Sequence, residues 1–237
     1  LNARPGVRDK TIHAVNDAIR RLGYVRDVAA ANLARGRDYR MAIFLPDTES
    51  QFVQTLSDAL QDAAASAATA RVAMDLFRFP AEDMHALAAQ LAALPARDYS
   101  GIALMAPETP IVRDAVRALR AKGLPVVALV SDLPNTERDH YVGIDAYASG
   151  RTAGVLMGRF LGGGKARVMV IANSMHLRES IERRRGFDEV MLRSFPGIEV
   201  LQSLESHGQA AILRQATREM LRHAPDVAGI YLLGSGH

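Results

Sequence analysis

Cysteine is absent from all 237 residues. That excludes a disulfide scaffold, a thiolate metal site and a cysteine nucleophile, and it fits a reducing compartment. Tryptophan is also absent, and aromatics make up only 5% of the chain. Lysine is scarce: Lys10, Lys122 and Lys165 are the only three, so arginine carries most of the positive charge. No apolar run approaches the roughly 20 residues of a membrane span, so no membrane partner is expected. The opening stretch LNARPGVRDK lacks the apolar core of a secretory signal. Neither HExxH nor GxSxG occurs, and the seven histidines are scattered rather than set at metal-ligand spacing. No catalytic residue, cofactor or metal is therefore expected.

What the chain does have is ordinary for a folded protein, with 49% hydrophobic and 23% charged residues. Its length suits one large domain or two. The charge is uneven. The first forty residues hold nine Lys/Arg against four Asp/Glu, while the rest hold 20 against 22. A basic leader on a near-neutral body suits an anionic partner, or simply a solvated basic helix.

Periodicity divides the chain in the same place. Val7, Ile12, Val15, Ile19 and Leu22 recur at helical spacing, so a helix is expected over 7–22, stopped by Gly23. Asp27 can cap a second, short helix over 28–35 that ends at Gly36. Beyond Arg40, apolar runs alternate with amphipathic stretches. Strands are expected over 41–46, 71–77, 101–105, 126–130, 141–144, 167–171, 198–201 and 229–233. Helices are expected near 50–67, 81–94, 109–122, 147–161, 179–194 and 208–223. Such alternation predicts an α/β fold with parallel sheets covered by helices on both faces. Ligands in such sheets sit beyond the carboxyl ends of the strands. Gly162-Gly163-Gly164 follows a helix and precedes a strand, the reverse of a phosphate-cradling order. It reads as a helix stop and a possible crossing between subdomains.

Two stretches carry a family resemblance. LNARPGVRDKTIHAVNDAIRRLGYVRDVAAANLARGR resembles the second half of the DNA-binding headpiece of LacI/GalR repressors, with Leu22-Gly23-Tyr24 closing its third helix and Leu33 in its hinge helix. The body resembles that family's effector domain, most clearly in YVGIDAYASGRTAG (141–154) and ERRRGF (182–187). The resemblance implies a two-lobed periplasmic-binding-protein-like (type I) fold preceded by a partial helical DNA-binding headpiece. On that pattern residues 1–39 are headpiece and hinge, 40–161 the first lobe and 162–237 an incomplete second lobe, so a fragment is expected. It implies a cytoplasmic, homodimeric regulator whose operator DNA affinity answers to a small carbohydrate effector. A solute-binding protein of a sugar transport system shares the fold and is the alternative. An enzyme is not expected.

The site candidates follow. By resemblance Leu33 is the hinge wedge between base pairs, with Ala30 one turn earlier, small enough for close approach. Arg26, Asn32 and Arg35 can reach phosphates or groove edges. In the cleft, Arg183 stands where the family places an effector-binding arginine; its planar fork suits paired hydroxyls or a carboxylate. Strand-end positions supply the others. Asp47 follows the first strand and Phe52 opens the next helix, where it can stack on a sugar face or join the core. Glu108 follows the third strand, and Asn173 follows the strand near 167–171. Ser131 and Asp132 follow the fourth, where Asp132 can accept from ligand hydroxyls or cap its own turn.

Overall fold

The computed structural model describes residues 8–22, 38–206 and 209–234. The first helix, α1 (Asp9–Leu22), carries Asp9 in its first turn and two arginines in its last, the arrangement that suits the helix dipole. The hinge and DNA-contact positions Arg26, Ala30, Asn32, Leu33 and Arg35 lie outside the described residues.

The first sheet contains β1 (Tyr39–Asp47), β2 (Val72–Pro80), β3 (Gly101–Leu104), β4 (Val126–Leu129) and β5 (His140–Val142). Its order is β2-β1-β3-β4-β5, and every pairing is parallel. Side-chain alternation along β1 sends Ala42 and Phe44 to one face, Ile43 and Leu45 to the other. Helices α3 (Met84–Ala93) and α4 (Pro110–Ala121) cover the first face with Leu87, Leu91, Val112, Val116 and Leu119. Helix α2 (Gln51–Ala67) covers the second through Val53, Leu56 and Leu60. Each fully buried side chain contributes roughly 1.5–3 kcal/mol. Local chemistry starts the helices: Asp83 accepts from Ala86 N–H, and Thr109 from Val112 N–H with Pro110 in the first turn.

The second sheet has β6 (Ala166–Ala172), β7 (Ile198–Glu205) and β8 (Val227–Leu232), in the parallel order β7-β6-β8. Val168, Val170 and Ala172 face one cluster; Met169 and Ile171 face α7 (Ala210–His223) through Leu213. The first of these faces is closed by α6 (Arg178–Ser194) and α5 (Ala146–Phe160).

Helix α5 differs from the boundary drawn at 161. Its Ala153 and Met157 pack into the second cluster, so it belongs with the second lobe and the chain passes between lobes at 143–145. The glycine triplet does stop the helix: Gly162 and Gly163 take φ of 71° and 70°, which glycine adopts without a Cβ penalty. It joins α5 to β6 inside one lobe and is not a crossing.

An ion-pair cluster pins the start of β1. Arg40 Nε lies 2.6 Å from Asp75 Oδ2, and Tyr99 donates to the same oxygen at 2.8 Å. The hydrogen bond from Arg40 is the main cause holding the Asp75 carboxyl below its ordinary 3.8. A lowered carboxyl contributes stability above its ordinary value and loses it as pH falls through the lowered one. Arg40→Gln therefore lowers the thermal midpoint near neutrality, and the gap to the parent closes as pH drops below 3.8. A gap constant through that range would refute the assignment.

Candidate functional site

The carboxyl ends of β1, β3 and β4 face those of β6 and β8 across a cleft of about 480 Å³. That volume lies within the range of small-molecule sites, roughly 300–1,000 Å³. Parallel strands aim their carboxyl ends the same way, so both lobes present loops and helix starts to the same space.

Four of the seven expected cleft residues line it: Phe52, Ser131, Asn173 and Arg183. Phe52 is 41% exposed, so its ring is available to the cleft rather than spent in the core. Asn173 has a buried Oδ1 with no hydrogen-bond partner among the described residues. Such an acceptor costs free energy until a donor meets it. Arg183 donates from Nη1 to the carbonyl of Leu233 at 2.7 Å, and no carboxylate lies within ion-pair reach of it among the described residues. The rest of its fork is free to bind.

The other three are placed elsewhere. Asp132 is held bidentately by Arg138, at 2.5 and 2.9 Å, and also accepts from Leu133 N–H at 2.8 Å. Three of its roughly four acceptor positions are taken, and the turn-cap role is the one realised. Glu108 has a side chain only 9% exposed and lies 3.9 Å from Arg113 and 3.8 Å from Arg178. It does not line the cleft; it takes part in charge pairs at those distances, and its buried Oε1 makes no hydrogen bond among the described residues. Asp47 is exposed and does not line the cleft.

Ser131 is positioned by a strained turn. Its N–H reaches back to the Leu129 carbonyl at 2.7 Å, closing a γ-turn about Val130 at φ 65°. This hand is rare, and a β-branched residue there costs roughly 1–3 kcal/mol. Neighbours hold it. Val130 N–H donates to Val142 O at 2.9 Å, and the Tyr141 hydroxyl reaches the carbonyls of Val130 and Ile144 at 2.9 and 3.1 Å. Burial, then the charges of Asp132 and Glu179, raise the Tyr141 hydroxyl above its ordinary 10.0, so it stays a donor at neutral pH.

Sequence reasoning missed several lining groups. Phe79 is 1% exposed and forms part of the cleft wall, but the expected strand stopped at 77. Glu179 and Ser180 line the cleft from the first turn of α6. The strand-end rule, applied to helix starts as well, could have found them. Among the described residues no group of three or more His, Cys, Asp or Glu is placed to hold a metal ion. Among them, too, no helix is long and apolar enough to cross a membrane.

Comparison with known proteins bears on this geometry. The pattern of the periplasmic binding protein domain family matches residues 41–237. No curated protein sequence matches the chain. Among solved structures, the glucose-galactose binding protein GanP from Geobacillus stearothermophilus is 23% identical, covering 83% of this chain and 68% of its own, with a TM-score of 0.71. An ABC transporter solute-binding protein from Burkholderia graminis, in complex with D-arabinose, is 22% identical over 89% of this chain and 68% of its own, with a TM-score of 0.75. A Bacteroides fragilis protein described as a LacI transcriptional regulator is 15% identical over 83% and 69%, with a TM-score of 0.70. These likenesses show the two-lobed α/β fold with parallel sheets.

Proposed function

Because the chain belongs to the periplasmic binding protein domain family, we propose that it binds a sugar or sugar derivative between its lobes, and that this binding controls a DNA-contacting segment ahead of residue 40. One observation carries the ligand reading: the cleft sets an unpartnered Asn173 acceptor and the free fork of Arg183 beside the accessible ring of Phe52. Hydroxyls satisfy the acceptor and the fork, and a ring gives an apolar face somewhere to rest.

The regulatory reading is supported by the basic leader and its likeness to a LacI/GalR headpiece. The mechanism is a population shift: the ligand favours one lobe arrangement, which resets the spacing of paired hinge helices in a homodimer. Paired Leu33 wedges then gain or lose register on the operator. The second reading, a solute-binding protein of a transport system, is favoured by the kind of structural neighbour found in Geobacillus stearothermophilus and Burkholderia graminis.

A thermal-shift screen against sugars, sugar acids and purines tests the ligand reading. A ligand at 100 times its Kd adds about 2.7 kcal/mol of apparent stability. No shift with any sugar or sugar derivative would overturn it. Gel shifts then separate the two readings. In the full-length protein Leu33→Ala weakens DNA binding while ligand affinity stays unchanged. Parent protein that retains no DNA at low salt favours the transport reading.

A further inference from the structure

We propose that the first turn of α6 is a two-point clasp on the first lobe, with Arg178 and Glu179 as positioning residues that set the closed-to-open balance of the cleft. The inference rests on the reading of the cleft as a ligand site. Glu179 Oε2 accepts from the Ser131 hydroxyl at 2.6 Å, across the lobes. Hydroxyl–carboxylate bonds of that length are among the stronger hydrogen bonds in proteins. One residue earlier, Arg178 lies 3.8 Å from Glu108 Oε2, also across the lobes, and 3.4 Å from Glu182 on its own helix. The Glu108 side chain is 9% exposed, so its pairing is screened less than a surface pair.

The two contacts reach two strand ends, since Glu108 follows β3 and Ser131 follows β4. A single hydrogen bond lets the lobes pivot; two separated points on one rigid turn resist rotation as well as opening. The helix also carries the ligand chemistry. Glu179 and Arg183 are four residues apart, so they share a face one turn apart, and both line the cleft. Closing the clasp therefore brings the free fork of Arg183 toward the first lobe. From behind, α6 is braced by α5, where Gly150 meets the Arg183 backbone and Gly186 meets the Tyr147 carbonyl. The second lobe thus moves as one body with Arg183 attached.

The test needs no ligand. The chain has no cysteine, so Gln61→Cys and Leu192→Cys place two dyes cleanly, one on each lobe. Adding Ser131→Ala and Arg178→Gln lowers energy transfer in the free protein, because losing one hydrogen bond to a charged group together with a partly buried ion pair shifts the closed-to-open ratio roughly tenfold or more. Glu108→Gln removes the same ion pair from the other lobe, so it lowers transfer by itself but adds nothing in the Arg178→Gln background, which a variant that merely failed to fold would not do. Equal transfer in the parent and in Ser131→Ala/Arg178→Gln overturns the clasp, as does a Glu108→Gln effect that adds in full to that of Arg178→Gln. D-arabinose serves as a separate probe: absence of binding heat counts against the ligand reading and leaves the free-protein comparison standing.

Discussion

Arg183→Ala weakens sugar binding by roughly 1.5–3 kcal/mol, the value of a hydrogen bond to a charged group. That corresponds to about a tenfold to hundredfold rise in Kd. The expectation follows from what the side chain does in the structure. One guanidinium nitrogen is spent on the Leu233 carbonyl, and no carboxylate lies within ion-pair reach of the rest among the described residues. Arg183→Lys keeps the charge but not the fork, so it recovers only part of the loss. Calorimetry with the best sugar from the screen decides the matter, and unchanged affinity in Arg183→Ala removes this residue from the site.

Gly150→Ala has the largest expected effect on stability, about 3 kcal/mol. A Cβ there collides with the Arg183 carbonyl oxygen and comes within 2.7 and 2.8 Å of its carbonyl and α carbons. These are backbone atoms of a packed helix, which cannot rotate aside, so the strain sits at the upper end of overpacking costs. The displaced atoms belong to Arg183 itself, so the same variant weakens ligand binding. Gly164→Ala is the control, because an added Cβ there meets nothing within 4 Å. Its midpoint stays within about 0.5 kcal/mol of the parent, as for ordinary surface changes. Matching midpoints for the two variants would falsify the close-packing account.

Much of the fold was legible because parallel strands read as short apolar runs and their helices as amphipathic stretches. All eight expected strands occur, with shifts of a few residues at their ends. The glycine spacing Gly150, Gly154, Gly158 was not legible as a packing face. Glycine in a helix reads as a weakness of about 1 kcal/mol per residue, and only the partner helix explains it. The glycines meet Arg183, Val190 and Phe195, which lie more than thirty residues away in sequence. The lobe boundary was misplaced for a related reason: the triplet at 162–164 breaks a helix more visibly than Gly143 marks the real passage.

For the cleft, strand-end position located the right loops but not the direction of each side chain. Asp132 turned away because Arg138 offered a full two-point match, and Glu108 because Arg113 and Arg178 converge on it. None of these three arginines stood out in the sequence. Arg183 came from the family likeness, while Glu179 required the facing lobe to be seen.

The left-handed Val130 sets a limit on how this protein can be improved. A laboratory search for heat resistance rewards relief of backbone tension, and glycine at 130 is an obvious way to obtain it. Yet that tension holds the following serine at its angle toward the opposite lobe. Variants selected for ruggedness alone are therefore expected to drift toward a slacker mouth and a weaker grip on whatever enters it.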